Sequence, residues 1–368
     1  MTIPILRPTI AEINLNALKN NISKARALIA QRGGNPKIFL LVKANAYGHD
    51  AELIAKYAQN NKLADFLGVA SIEEGLYLRQ KNITLPILVL GSIWPFDGFE
   101  YAVKNDISVT VASVRAAKFL ADLSAKLKIK ARAHVKQETG MNRIGSRRPA
   151  ALEMLKILNA APYVEVEGTF SHFSCAENED YSKQQLAYFK ELLADAKAQN
   201  LNTGLRHISA SLAFLKYPQA QFDMVRLGHL AYGLEEGFEP VLSLKSKVVF
   251  IKDVRENVKI GYGGTFVTKR PSKIATIPIG YGDGYPRLLS NNTEVEILGK
   301  RCPQVGNITM DMMMVDITEL GDIKIGTEVT LIGKNIPASE LAQKCGTIDY
   351  EIITSIMHRV PRIGVYNV

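Results

Sequence analysis

Lys37 to Asp50 read Lys-Ile-Phe-Leu-Leu-Val-Lys-Ala-Asn-Ala-Tyr-Gly-His-Asp: an apolar run with a lysine at its end, then a tyrosine, a glycine and a helix start. Lys43 directly follows Ile38-Phe39-Leu40-Leu41-Val42, so its stem leaves a packed sheet rather than a solvated face. Desolvation penalises the ammonium form, and a neutral amine placed there can attack a carbonyl. Other runs carry groups that complement it. His134-Val135-Lys136-Gln137-Glu138-Thr139-Gly140-Met141-Asn142-Arg143-Ile144-Gly145 closes a β-rich segment and puts two cations, Lys136 and Arg143, at its rim. A planar guanidinium fork suits paired oxygens, and a neighbouring anion would fix its orientation. Gly168-Thr169-Phe170-Ser171-His172-Phe173 ends a strand in a histidine, and Asp223 to His229 carries Arg226, a cation that hardly ever gives up its proton. Taken singly, each has an ordinary structural reading: a strand-capping lysine, a satisfied core histidine, a surface ion pair. Gly261-Tyr262-Gly263 alone would be a plain turn.

The elements around these residues are regular. β-rich runs at Ile38–Val42, Phe66–Ala70, Ile87–Leu90, Ser108–Val111, Lys130–Lys136, Val164–His172, Leu205–Ser209 and Asp223–Arg226 alternate with helical patterns. Eight strands with intervening helices predict a (β/α)8 barrel of the TIM type. Apolar stripes such as Leu53, Ile54, Tyr57, Ala58 and Leu186, Phe189, Leu192, Leu193 would pack its helices on the sheet. Barrel active sites lie at the C-terminal ends of the strands, and Lys43 and His172 fall at the ends of the first and sixth. Phosphate sites form after the seventh and eighth strands, where Ser211 supplies a hydroxyl near a helix start. Beyond Glu235-Glu236-Gly237-Phe238-Glu239-Pro240 the texture changes to short strands with glycine turns, at Lys247–Phe250, Ile274–Ile279, Val295–Leu298, Met312–Asp316 and Glu328–Ile332, with helices at Ala338–Lys344 and Asp349–Ile356. The expected division is a barrel over 9–238 and a mainly β domain over 239–368, with residues 1–8 pairing with the latter.

At 368 residues and 47% apolar content the chain can bury a core in each part. No apolar run approaches the ~18 residues that span a bilayer, and the start lacks a basic region followed by an apolar signal core, which points to a soluble cytoplasmic protein. Cys175, Cys302 and Cys345 are odd in number and far apart, as free thiols in a reducing compartment would be, and they offer no metal-like pairing. The net charge of +9 is spread along the chain without aromatic interleaving. That argues for attraction of anionic ligands rather than nucleic acid or membrane.

Val-Lys-Ala-Asn-Ala-Tyr-Gly-His resembles the cofactor-lysine motif of the alanine racemases, enzymes that use pyridoxal 5′-phosphate (PLP). The resemblance implies that Lys43 forms a Schiff base with PLP and that Tyr47 binds its phosphate. The His134–Gly145 segment is similar to the family's second motif, which implies a carbamylated Lys136 holding Arg143, itself in contact with the PLP phenolic oxygen and the substrate carboxylate. Glu138 stands where the family usually shows aspartate. His207-Ile208-Ser209-Ala210-Ser211 and Asp223–His229 resemble the segments after strands seven and eight. They imply Ser211 and the amides of Gly228 and His229 at the phosphate, and Arg226 on the pyridine nitrogen with His207 behind it. Ala210 replaces the common asparagine. Because Arg226 keeps its proton, the ring nitrogen would stay unprotonated and the cofactor's electron sink would be weakened.

Ile260–Phe266 resembles the segment that supplies a second base. Racemisation needs acid/base groups on both faces of the substrate carbon, and the resemblance implies Tyr262, donated by a partner subunit and hydrogen-bonded to His172. A tyrosine ordinarily loses its proton near pH ~10, so cations such as Arg226 or an imidazole must help. Pro278–Tyr285 and Val305–Asp311 are similar to the motifs that place a gating tyrosine, Tyr281, and a carboxylate-binding amide, Met310. His358-Arg359-Val360-Pro361-Arg362 matches the closing motif, with His358 where some members have a phosphate-binding tyrosine. The implied protein is a homodimer with shared active sites that interconverts L- and D-alanine, supplying D-alanine for peptidoglycan. A racemase of larger amino acids, a related PLP decarboxylase and a PLP carrier without turnover are the rival readings. Arg226 argues against the decarboxylase, and the β domain with Tyr262 and Met310 against the carrier.

Overall fold

The computed structural model describes residues 6–366. The chain divides into two compact units: one comprises Ile22–Ala46 and Ala51–Ala231, the other the residues up to Asn21, Tyr47–Asp50 and the chain from Tyr232 onward. Among the described residues no helix is long and apolar enough to cross a membrane.

Strand β1 (Ile10–Asn14) opens the chain, and the next eight strands build the first unit: β2 (Lys37–Leu41), β3 (Phe66–Val69), β4 (Ile87–Val89), β5 (Ser108–Val111), β6 (Ala131–Lys136), β7 (Val164–Phe170), β8 (Leu205–His207) and β9 (Met224–Leu227). Each lies parallel beside its chain neighbour, and β9 returns to pair with β2. The ring closes between β8 and β9, where Asp223 N–H donates to the Arg206 carbonyl at 3.0 Å and Arg226 N–H to the Ser209 carbonyl at 3.1 Å. This is the expected (β/α)8 barrel. Its central strands, Phe-Leu-Gly-Val, Ile-Leu-Val and Ser-Val-Thr-Val, are buried along their whole length, as parallel strands covered on both faces must be. The outer helices bury one stripe each, such as Ala51, Ile54, Ala55 and Ala58, or Ala151, Met154, Leu155 and Leu158. Leu53 and Tyr57, expected on the first of these stripes, lie at its half-buried edge.

The second unit is a nine-stranded sheet with the order β11, β14, β17, β16, β15, β18, β10, β1, β19. Its later strands are β10 (Leu242–Lys247), β11 (Phe250–Val254), β14 (Ser272–Ile277), β15 (Glu294–Ile297), β16 (Lys300–Val305), β17 (Met313–Asp316), β18 (Glu328–Ile332) and β19 (Arg362–Val365), with the short ribbon β12 (Lys259–Ile260) and β13 (Phe266–Val267) beside it. Helices Ala338–Cys345 and Asp349–Thr354 follow β18.

Two expectations change. The barrel does not begin at residue 9, because β1 lies antiparallel to β10 and parallel to β19 within the second unit. Of residues 1–8, those up to 5 lie outside the described part; Arg7 pairs with Asp283 of the same unit. The expected strand at Lys247–Phe250 is instead a junction. Val248 N–H donates to the Thr327 carbonyl at 2.9 Å and Val249 N–H to the Thr276 carbonyl at 3.0 Å, so the chain changes partner here from β18 to β14.

Two glycines separate backbone strain from close approach. Gly299, φ 76°, sits in the two-residue hairpin between β15 and β16 with open space where a Cβ would stand, whereas at Gly233, φ 73°, a Cβ would come within 1.7 Å of the Glu239 carbonyl oxygen. Gly299→Ala is expected to cost about 1 kcal/mol from the left-handed backbone alone. Gly233→Ala should cost roughly 3 kcal/mol or more, because backbone must give way to backbone. Urea denaturation of the two variants checks the difference.

Candidate active site

At the end of β2 the backbone does something the sequence does not announce. Ala44, Asn45, Ala46 and Tyr47 all take left-handed conformations, φ 51° to 54°. Each non-glycine residue there costs ~1–2 kcal/mol, and such a turn persists only when its surroundings over-determine it. Three bonds do so: Ala46 N–H to the Val42 carbonyl at 2.8 Å, Ala44 N–H to Glu74 Oε1 at 2.7 Å, and Ala51 N–H to Asn45 Oδ1 at 2.8 Å. The turn replaces the simple helix start expected after the lysine; the helix begins at Ala51.

Lys43 sits at the foot of this turn, half-buried. Its pKa falls below that of an ordinary lysine, first because burial penalises the ammonium and then because Arg143 and Arg226 repel it, with Glu74 opposing. Lys136, at the end of β6, is 4% exposed and its pKa falls much further, through burial and then Arg226 and Arg143, against Glu138. Its ammonium position lies 4.8 Å from the Phe170 ring centre. Lys43, Lys136, Arg143 and Arg226 therefore concentrate positive charge at the strand ends, and together they depress His172 as well, after the larger effect of its burial. Such a cluster of cations suits a ligand with several negative groups.

Arg226 organises the centre. Its Nη2 shares two protons among three acceptors, the Ser171 carbonyl at 2.9 Å, the Ile208 carbonyl at 2.6 Å and His172 Nδ1 at 3.0 Å, and its Nη1 donates to His207 Nδ1 at 2.6 Å. A guanidinium only donates, so both imidazoles must accept on Nδ1 and carry their protons on Nε2. His207 Nε2–H then donates to His134 Nδ1 at 3.1 Å, and His134 Nε2–H to Glu167 Oε2 at 3.0 Å. A directed chain runs from guanidinium through two imidazoles to a carboxylate. Burial pushes the Glu167 pKa up, but the bonds from His134 and Ser108 and the charge of Arg132 bring it below its usual value. Phe170 stacks flat on His207, with ring centres 4.7 Å apart. On the phosphate side, Ser211 Oγ accepts from Gly228 N–H at 3.3 Å and Leu230 N–H at 3.1 Å, which brings the hydroxyl and amides of the two expected segments together. His229 follows, half-buried.

The other expected residues lie in the second unit. The Tyr47 ring packs against Tyr232 and Tyr350, with centres 5.1 and 5.6 Å apart. The Tyr281 and Met310 segments are joined: Tyr281 N–H donates to the Thr309 carbonyl at 3.1 Å and Gly282 N–H to the Met310 carbonyl at 2.9 Å. Tyr262 is 76% exposed, and His358 is also exposed. Glu74, Asn45, His134 and Glu167 were not singled out from sequence. His134, two residues before Lys136 on β6, carried the only available signal, since side chains two apart share a strand face.

Fold and site thus define a barrel enzyme built around a desolvated lysine amine among cations. The chain matches the alanine racemase N-terminal domain over residues 13–236 and the alanine racemase C-terminal domain over 241–364. It is 39% identical to alanine racemase 2 of Caldanaerobacter subterraneus subsp. tengcongensis, covering 98% of this chain and 96% of that protein. It is 40% identical to the alanine racemase of Clostridium novyi, covering 98% and 96%. Among solved structures it superposes on the alanine racemase of Clostridium difficile 630 with a TM-score of 0.93 at 37% identity, covering 99% and 97%. For that of Bacillus anthracis with bound L-Ala-P the values are 0.90 and 38%, with 99% and 97% covered. The chain belongs to the alanine racemase family.

Because His172 and His207 are held neutral while an unfolded histidine gains a proton near pH ~6.5, acidification below that value favours the unfolded chain. Stability is expected to fall as pH drops through this window, and nitrogen-15 spectra of the cofactor-free protein should show both rings as unchanging Nε2–H tautomers between about pH 5 and 8.

Proposed function

We propose that this protein is an alanine racemase in the full sense: a PLP-dependent isomerase interconverting L- and D-alanine, active as a homodimer and cytoplasmic, supplying D-alanine for peptidoglycan. The observation that carries the proposal is the convergence of Lys43, Lys136, Arg143 and Arg226. PLP fits that charge with its phosphate, its phenolic oxygen and a bare ring nitrogen, and the alanine carboxylate adds one more negative group. Lys43 and Tyr47 would hold the cofactor, with Ser211, Gly228, His229 and His358 toward the phosphate, Arg143 toward the phenolic oxygen, and Arg226 at the ring nitrogen with His207 behind it. Bound there, PLP would supply the electron sink that makes the Cα proton of alanine removable.

The chain's own groups then move that proton. Lys43, more readily neutral than an ordinary lysine, exchanges it on one face. Tyr262 exchanges it on the other, and its 76% exposure in the single chain supports its role as a group lent to a partner subunit. His172 accepts from Arg226 on Nδ1, which leaves Nε2–H to donate to the Tyr262 oxygen and so stabilise its deprotonated form. Arg143 and the Met310 amide receive the alanine carboxylate, and Tyr281 narrows the entry. Lys136, buried and readily neutral, can take up carbon dioxide as a carbamate, losing one proton and gaining a negative charge beside Arg143.

Purified protein supplied with PLP is expected to drive L-alanine and D-alanine separately to the same racemic end point by polarimetry, faster than it acts on serine or lysine. An enantiomer that stays optically pure would overturn the proposal. Lys43→Ala and Tyr262→Phe should each lower kcat by ~10³-fold or more, with only the lysine change also abolishing the absorption of covalently held cofactor. Labelled bicarbonate should give a carbamate carbon signal that is absent from Lys136→Ala.

A further inference from the structure

Tyr262 stands in a segment that gives it little support. Gly261, Gly263 and Gly264 surround it, so its neighbours bring no side chains to pack, and most of its own surface is open. What ties the segment down comes from elsewhere in the same unit. Asn307 Nδ2 donates to the Tyr262 carbonyl at 2.8 Å. Asn291 bridges the same two segments, its Oδ1 accepting from Gly306 N–H at 2.6 Å and its Nδ2 donating to Thr265 Oγ1 at 3.1 Å. Gln304, 2% exposed, completes the set: its Oε1 accepts from Asn291 N–H at 2.7 Å and its Nε2 donates to the Gly306 carbonyl at 2.9 Å. Three carboxamides staple the tyrosine loop to the strand end that leads into Met310: Asn291 and Gln304 each use donor and acceptor, and Asn307 its donor. Asn307 is the tip of the staple, three residues before the amide assigned to the substrate carboxylate.

We infer that Asn307 is a positioning residue for Tyr262, holding the tyrosine at a set distance from the carboxylate-binding amide of Met310 so that the phenolic oxygen meets the Cα proton of a substrate anchored there. The inference rests on the reading of Tyr262 as one of two bases. It follows from the hydrogen-bond pattern: the Asn307 side chain donates directly to the Tyr262 backbone and so links the proton-transfer loop to the loop that receives the substrate, and a misplacement of about 1 Å at such a point costs up to ~100-fold in rate.

The test is Asn307→Ala in the PLP-loaded enzyme, with Asn307→Asp as a second variant that keeps the shape but loses the donor. kcat/KM should fall by about ten- to a hundredfold, equally from either enantiomer because the equilibrium constant of a racemisation is unity. The discriminating measurement is the primary isotope effect with alanine deuterated at Cα. It should rise only for the enantiomer whose proton Tyr262 removes, since the other is handled by Lys43, and the thermal midpoint should stay unchanged. Unaltered kcat/KM in both variants, or an equal rise for both enantiomers, would overturn the inference. Tyr262→Phe measured alongside separates the two levels: an active Tyr262→Phe enzyme removes the base assignment itself, whereas an inactive one beside an unaltered Asn307→Ala overturns the positioning role alone.

Discussion

The active centre depends on one guanidinium held among groups that can only accept from it. Arg226 meets two carbonyl oxygens and two imidazole nitrogens, and its permanent proton sets the direction of every bond around it. Had a carboxylate stood at this point, the charge would be cancelled locally. Here the compensating carboxylate, Glu167, sits two imidazoles away, linked by His207 and His134. The arrangement keeps the cation's field at the strand ends while the inner ring nitrogens of His207 and His134 are all hydrogen-bonded, as a low-dielectric interior favours.

That field explains the neighbouring lysines. Burial and the nearby arginines make Lys43 and Lys136 easier to deprotonate, and the free amine is the nucleophilic form. The two sites differ in access. Lys43 is half-buried at the foot of a left-handed turn, whereas Lys136 is nearly enclosed against Phe170. Energy spent on the strained turn is offset by bonds from Val42, Glu74 and Asn45, so the lysine is held at an angle that an ordinary strand-to-helix connection would not provide.

The β unit solves a different problem. Three of its loops carry exposed groups, Tyr262, Tyr281 and Met310, the first two on segments rich in glycine. Backbone and carboxamide bonds between the loops add to a small apolar cluster at their base, Ile260, Ile274 and Val305 with Phe266 and Met314. The exposed Tyr262 is therefore held through its backbone rather than by packing of its own side chain.

Much of this was legible in the residues. Alternating apolar runs and helical stripes determine the barrel, because parallel strands buried on both faces have to be continuously apolar. The strand-end placement of Lys43, Lys136, His172, His207 and Arg226 follows directly from where those runs stop. Other features depend on residues far apart in the chain. The left-handed turn needs Glu74 from the first turn of the helix Ile72–Gln80 that follows β3, and the imidazole relay needs Glu167 on β7 to face His134 on β6. The switch of sheet partner at Val248 depends on Thr327 and Thr276, and the place of Ile10–Asn14 in the second sheet depends on β10 and β19. Local sequence sets which residues can be buried and where a strand ends, because propensity and periodicity act over a few residues. Which donor meets which acceptor across the sheet, and so which imidazole nitrogen holds a proton, was decided only when the tertiary structure brought those distant groups within hydrogen-bonding distance.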